Sequence, residues 1–148
     1  MAHTVGHTLS YIWPDQDEQY QWPIGIERKE TLSAFVAFYE ACGFLRCTDA
    51  SVEEGYEKVV IYVLNDSVTH VALQLEDGSW TSKIGDLADI VHIDPSVVAG
   101  TGPNCYGVPK SVLRRARTGK PPTLPPLNPP LATLVNSSGT PLKDLKTL

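Results

Sequence analysis

The sequence predicts an α+β domain in which N-terminal helices pack on a small antiparallel sheet, followed by an extended, proline-rich C-terminal tail. Three observations predict this fold: a helical apolar period over Glu30–Cys42, three β-rich runs separated by turn residues, and a crowding of prolines after residue 118. At 148 residues the chain has room for one domain with a single modest core.

The helices are expected in the first third of the chain. Residues 1–12 are small and apolar enough for a short helix, which Trp13-Pro14 would end. Glu30–Cys42 has the clearest helical pattern, and Gly43 is typical of the residue that follows a helix C-cap. Its apolar residues recur at i, i+3, i+4 and i+7: Leu32, Phe35, Val36 and Tyr39.

The sheet is expected in the middle of the chain. Glu57–Leu64 is β-branched and nearly continuous, which is typical of a buried strand. Thr69–Glu76 and Ser79–Ile84 flank Asp77-Gly78, a strong hairpin signal. The three runs therefore predict an antiparallel meander.

Two further helical elements are expected after the meander. Asp86 could cap a short helical turn through Asp89–His92. Pro109 suits the first position of a helix that would run to Arg117. The folded domain is therefore expected to span residues 1–118.

Residues 119–148 form the expected tail. They hold seven of the twelve prolines, including three Pro-Pro pairs that favour polyproline II and exclude helix and sheet ladder. Three interpretations stay open for this segment: a solvated extension, a strap along its own domain, or a ligand through which a protein partner is docked.

Composition excludes several functional classes. A net charge of −5 argues against nucleic-acid binding, and the chain has no apolar run near the ~20 residues of a membrane span. Three cysteines and the lack of a signal-like N-terminus predict a cytoplasmic protein without a disulfide scaffold. No phosphate-binding loop or metal-ligand spacing is present, so no cofactor or metal is expected.

His70 is the leading catalytic candidate. It begins a strand that precedes a hairpin, where papain-like amidases place the general base that takes a proton from a cysteine. Ser82, on the returning strand, is the expected orienting partner. Among the cysteines only Cys105, shortly before the expected last helix, is a plausible nucleophile. The alternative is a structural histidine bonded to its neighbours.

A long motif supports a family resemblance. Thr69–His92 (THVALQLEDGSWTSKIGDLADIVH) is similar to the THxARQxxDGxWTSKLG…DIxH motif of an uncharacterised bacterial domain family. The paired W-P motifs of that family match Trp13-Pro14 and Trp22-Pro23, and its closing Y-G…L-R-R matches Tyr106-Gly107 and Leu113-Arg114-Arg115. The resemblance covers residues 1–117, and the family itself resembles papain-like and NlpC/P60-like cysteine hydrolases.

The resemblance implies two functions. The first is a cysteine amidase or peptidase that acts on a small amide or peptide substrate, with His70 and Ser82 as catalytic residues. The family's cysteine would fall just before Met1, so this form is expected to be inactive. The alternative is a non-catalytic binding or accessory protein that docks a partner in the cleft near His70 or through the tail. The candidate substrate-binding residues are Trp13, Trp22, Gln74 and Trp80, although aromatic residues in a loop such as that of the first two more often cover the core.

Overall fold

The computed structural model describes residues 2–6, 12–83, 89–102 and 105–128. Within them lie one α-helix, eight strands and two short 3₁₀ helices. The helix α1 spans Leu32–Ala41 and the 3₁₀ helices span Ala2–Val5 and Pro95–Val98. The strands are β1 (Trp22–Pro23), β2 (Leu45–Cys47), β3 (Tyr56–Leu64), β4 (Ser67–Gln74), β5 (Trp80–Lys83), β6 (Asp89–His92), β7 (Val108–Ala116) and β8 (Leu127–Asn128).

Six of the strands form one antiparallel sheet in the order β2-β7-β3-β4-β5-β6. The central strand β3 pairs with β7 from Tyr56 to Val63 and with β4 from Val59 to Leu64, and its run of apolar residues is buried on both faces. A separate two-stranded sheet joins β1 to β8.

Helix α1 forms because its local sequence favours both ends. Thr31 is its N-cap, with extended backbone and a side chain that accepts from the amide of Ala34. Gly43, with φ +94°, follows the last turn in a conformation that disfavours other residues. The face of the helix toward the sheet is fully buried and consists of Ala34, Phe35, Val36, Phe38 and Tyr39.

The sheet separates two apolar cores. Alternate residues of β3 enter each of them, since successive side chains point to opposite faces. Val59 and Ile61 belong to the core beneath α1, whereas Val60 and Tyr62 belong to a smaller second core with Trp80. The connection that carries the 3₁₀ helix Pro95–Val98 covers this second core, to which Val98 contributes. The candidate site lies on this second face.

Residues 119–128 lie along the domain as a strap. The amide of Ile24 donates to the carbonyl of Pro126 at 2.9 Å, next to the β1–β8 pairing. Leu124 and Leu127 pack against the core beneath α1. Residues 129–148, the rest of the expected tail, lie outside the described residues.

The predicted fold class is wrong. The domain is mostly β, with one α-helix on a six-stranded sheet, rather than N-terminal helices on a small sheet of papain-like form. At the N-terminus, the expected helix over residues 1–12 is a 3₁₀ helix at Ala2–Val5, and residues 7–11 lie outside the described chain. Among the described helices none is long and apolar enough to cross a membrane.

Two predicted helices are strands. Asp89–His92 is β6, at the edge of the sheet, and the segment from Pro109 to Arg117 is almost entirely β7. β7 carries two adjacent arginines whose side chains point to opposite faces of the sheet, and each forms an ion pair with a carboxylate. Arg114 pairs with Glu53, and Arg115 pairs with Glu57. Tertiary pairing therefore overrides the helix-start signal of the proline.

Candidate functional site

His70 lies in the second core, on the sheet face away from α1. It pairs across the strands with Tyr62 of β3, and the two rings lie 5.6 Å apart. The ring of Tyr106 stacks on the imidazole with centroids 4.0 Å apart and an interplanar angle of 13°. The hydroxyl of Thr69 donates to the backbone carbonyl of Tyr106 and holds that ring in place. His70 is thus held by packing between two aromatic side chains.

The imidazole of His70 is buried and neutral. Only 6% of the residue is exposed, and its Nε2 has no hydrogen-bond partner among the described residues. Burial lowers the pKa of His70 to about 3, and the nearby His3 and His92 act in the same direction. At neutral pH the ring therefore carries no charge and binds protons weakly.

Ser82 is bonded to His92, a residue that the sequence did not indicate. The Nδ1 of His92 lies 2.8 Å from the backbone carbonyl of Asp94, which can only accept, so Nδ1 carries the proton. Nε2 is then an acceptor, and the Ser82 hydroxyl donates to it at 2.8 Å. The structure thus brings Ser82 to the imidazole of His92, whereas Tyr62 and Tyr106 flank His70.

The Ser82–His92 pair has the connectivity of a nucleophile and its base, but its burial gives it a structural role. Ser82 is 0% exposed, His92 is 5% exposed, and neither residue lines the cavity described next, so no substrate bond can reach the hydroxyl. The pair instead ties β5 to β6 and, through Nδ1, to the backbone at Asp94. It therefore fixes the segment that forms one wall of the cavity described next.

Gln74 and Trp80, two of the predicted binding residues, face each other across β4 and β5. Both are 1% exposed. The Nε2 of Gln74 donates to the backbone carbonyl of Ala50 at 3.0 Å, but Oε1 has no partner among the described residues. An unpaired buried acceptor costs about 1–3 kcal/mol, so such a group in a folded protein requires an explanation.

An open cavity of about 540 Å³ lies above this pair, and we name it the Gln74 cavity. Its volume is within the range of small-molecule sites. Gln74 and Trp80 line it together with the β2–β3 connection, the β4–β5 turn and the segment after β6. The other lining residues are Ala50, Ser51, Val52, Asp77, Gly78, Ser79, Ile93, Asp94 and Pro95.

Three Asp-x-Ser turns surround the Gln74 cavity. In each turn, Oδ1 of the aspartate accepts from both the amide and the hydroxyl of the serine two residues later. These hydrogen bonds, chiefly those from the serine side chains, lower the pKa of each carboxyl below its ordinary value. The turns are Asp49–Ser51, Asp77–Ser79 and Asp94–Ser96, and a D-x-S search of the sequence would have found all three.

Trp13 and Trp22 lie on the other side of the sheet, in the core beneath α1. The Trp22 ring stacks on Phe38 with centroids 5.4 Å apart and is 1% exposed. Trp13 packs edge-on against Phe35 and donates through Nε1 to Glu30 at 2.9 Å. The structure therefore separates these tryptophans from Gln74 and Trp80.

The three cysteines are free and lie in different surroundings. Burial raises the pKa of Cys42 to about 12 and also raises that of Cys47, whose thiol donates to the carbonyl of Asp49. Cys105 is half-buried beside Tyr106.

In the part of the chain that the structure describes, no three His, Cys, Asp or Glu side chains are arranged to hold a metal ion.

One family model matches residues 1–114, and its description is "Domain of unknown function (DUF7689)". The match covers most of the chain, and it confirms the prediction of an uncharacterised domain family. No curated protein and no solved structure matches the chain.

Proposed function

Since this chain belongs to the DUF7689 family of domains of unknown function, we propose its function from the geometry of the site: a non-catalytic domain that binds a small ligand in the Gln74 cavity. The observation that carries the proposal is the combination of an open cavity of about 540 Å³ with a buried, unpaired acceptor among its lining side chains. A bound donor would satisfy this atom.

The histidine chemistry of the domain supports binding over catalysis. Hydrolysis by a serine or cysteine needs a nucleophile hydrogen-bonded to a base that takes up its proton near neutral pH. His70 has no nucleophile on Nε2 among the described residues, and its pKa of about 3 makes it a weak base. Ser82 has its base in His92 but lies out of reach of any substrate.

The test uses a cavity-filling substitution. Val52 lines the Gln74 cavity and is 61% exposed, so Val52→Trp places an indole over the cavity without disturbing the core. Val97→Trp is the matched control, because Val97 is 54% exposed and does not line the cavity. A small-fragment library is screened against the ¹⁵N-labelled chain by NMR.

Fragments that bind the cavity should shift the resonances of Gln74 and Trp80. We expect these fragments to bind the Val52→Trp variant at least fivefold more weakly than they bind the unsubstituted chain, and to bind the Val97→Trp variant with unchanged affinity. A library without any compound that shifts these resonances, or equal binding to both variants, would overturn the proposal.

Thiol-dependent hydrolysis is a second candidate, which the resemblance to papain-like and NlpC/P60-like bacterial hydrolases supports. One contact favours it: Cys105 precedes Tyr106, whose ring stacks on His70. In this candidate the imidazole takes the proton of the Cys105 thiol, and the thiolate displaces the amine from an amide carbonyl while the imidazolium gives that proton to the leaving amine. Water then hydrolyses the thioester to a carboxylic acid and restores the thiol. Iodoacetamide labelling of Cys105, followed by mass spectrometry, should then slow at least tenfold in His70→Phe. Equal labelling of both proteins would exclude it.

A further inference from the structure

We propose that the ligand of the Gln74 cavity is a small organic primary amine, whose ammonium group is held by Asp77, Asp94 and Gln74 and whose apolar stem lies against Ile93 and Trp80. This inference rests on the proposed function, because it names the chemical class of the ligand for the same cavity. Four features of the lining support it.

The first feature is uncompensated negative charge. Asp77 and Asp94 both line the cavity, and neither forms an ion pair among the described residues. No lysine, arginine or histidine is among the lining residues. The cavity therefore attracts cations and repels anions.

The second feature is that the serine hydroxyls in the cavity walls already donate their protons to other wall residues. The hydroxyls of Ser51 and Ser79 donate to the aspartates of their own turns, so both present lone pairs to a ligand. The turns use Oδ1 of Asp77 and of Asp94, so Oδ2 of each carboxylate takes no part in the hydrogen bonds with the serine. The side chains of these turns offer acceptors, which match a group with several N–H donors.

The third feature is the unpaired acceptor of Gln74. Its Nε2 is already used by the carbonyl of Ala50, which fixes the orientation of the amide. Oε1 is consequently a buried acceptor without a donor, in a residue that is 1% exposed. This observation is independent of the two carboxylates and points to the same chemistry, a ligand group that donates.

The fourth feature is apolar surface beside the acceptors. Ile93 is 81% exposed and Val52 is 61% exposed at the rim, and Trp80 lies below them. Burying such side chains against a hydrocarbon stem is favourable, whereas a bare ammonium ion would leave them in water. The lining thus fits an ammonium head joined to an apolar body.

The experiment compares three probes of similar shape and different charge. Phenethylamine, 2-phenylethanol and 3-phenylpropionate are each titrated into the ¹⁵N-labelled full chain, with the Gln74 side-chain amide and the Trp80 indole as reporters. We expect phenethylamine to bind about tenfold more tightly than 2-phenylethanol, and 3-phenylpropionate not to bind. Nα-acetyl-lysine-methylamide, which carries its primary amine on a peptide-like backbone, is a fourth probe, and tighter binding of this peptide mimic would overturn the assignment to a small molecule in favour of a lysine side chain of a peptide.

The matched variants separate charge from structure. The Asp77→Asn/Asp94→Asn double variant keeps both turns, since asparagine makes the same hydrogen bonds, but removes two charges. We expect it to lose the tenfold preference for the amine. Asp66→Asn makes the same kind of change in the β3–β4 turn, at the opposite end of β4 from Gln74, and should keep the preference.

Failure of this inference is distinguishable from failure of the proposed function. If 2-phenylethanol or 3-phenylpropionate shifts the reporter resonances as strongly as phenethylamine, the cavity binds ligands but does not select amines over other compounds. If the double variant keeps the preference, the carboxylates do not select the ligand. If none of the probes or library fragments shifts the reporters, the proposed function fails as well.

Discussion

The hydroxyl of Ser82 donates to Nε2 of His92 across 2.8 Å, in a part of the second core that excludes water. The other ring nitrogen of His92 donates to the carbonyl of Asp94. One imidazole thus connects the sheet to the rim of the Gln74 cavity.

Ser82→Ala should lower the free energy of unfolding by about 1–3 kcal/mol, because it leaves a buried acceptor of His92 without a donor. Urea denaturation at pH 7.5 measures the change. Ser67→Ala, at an exposed position of β4, should change stability by less than about 0.5 kcal/mol. A fluorophosphonate probe should leave Ser82 unmodified, and labelling of Ser82 would contradict the structural role that we assign to the pair.

Stability should fall as the pH falls from about 6.5. Burial lowers the pKa of His70 to about 3 and that of His3 to about 4, whereas both have ordinary values near 6.5 in the unfolded chain. Between these values the unfolded state binds protons that the folded state does not, so the stability contributed by the neutral rings is present above pH 6.5 and is lost as acid is added. Each histidine contributes a slope of up to about 1.4 kcal/mol per pH unit.

The measurement is urea unfolding at pH 7.5, 6.5, 5.5 and 4.5. His70→Phe keeps an aromatic ring to stack on Tyr106 but cannot bind a proton, so its stability should depend less steeply on pH. Equal slopes for the two proteins would show that His70 titrates normally in the folded state.

Gly107→Ala should be strongly destabilising, by more than about 3 kcal/mol. Gly107 has φ +86°, and an added Cβ would overlap the backbone carbonyl of Val63 in β3. Gly25 has nearly the same φ, +89°, but open space around its Cα. Gly25→Ala should therefore cost only about 1–2 kcal/mol, the penalty of the left-handed backbone itself. Thermal denaturation of both variants distinguishes the two contributions, and similar losses would contradict the predicted overlap.

Arg115→Ala should lower the free energy of unfolding by about 2–4 kcal/mol. The Arg115 guanidinium contacts Glu57 at 2.5 Å, both side chains are largely buried, and the same group donates to the carbonyl of Lys120 in the strap. Its removal leaves the largely buried Glu57 carboxylate with the weaker partner Arg117, at 3.8 Å, in a site with little water. Arg115→Ala should also make the 119–128 segment more accessible to limited proteolysis.

The exposed pair of Lys29 and Glu27 is the control for this prediction. Lys29→Ala should change stability by less than about 0.5 kcal/mol, and that change should disappear in 0.5 M salt. Equal losses in the Arg115 and Lys29 variants would show that burial does not strengthen the Arg115–Glu57 pair.

The helix and the meander could be predicted because their signals are local. The apolar period of α1 and the β-branched run of β3 each lie within one segment, and their bounds differ from the prediction by no more than two residues. β7 could not be predicted, because its conformation depends on β2 and β3, its neighbours in the sheet. Pro109 at the start and two arginines near the end favour a helix locally, and nothing in the segment indicates the partner strands.

One part of the candidate site has a local signal in the sequence. The Asp77-Gly78 turn indicated that β4 and β5 are adjacent, and in the structure Gln74 pairs with Trp80 across these two strands. His92 was missed because its segment was predicted as helical, and its contact with Ser82 depends on the β5–β6 pairing. The position of Trp13 and Trp22 beneath α1 depends on the packing of that helix, which spacing alone does not indicate.

The strand order has a consequence for folding kinetics. β3 and β4 meet through a two-residue connection, but the other neighbour of β3 is β7, which lies about fifty residues further along the chain and must enter between β2 and β3. Closing so long a loop before its contacts form is slow, so the β3–β4 hairpin should form early and the insertion of β7 should limit the rate. During synthesis, the edges of β2 and β3 stay unpaired until residue 116 has left the ribosome, and this interval is when the nascent chain is most prone to aggregate.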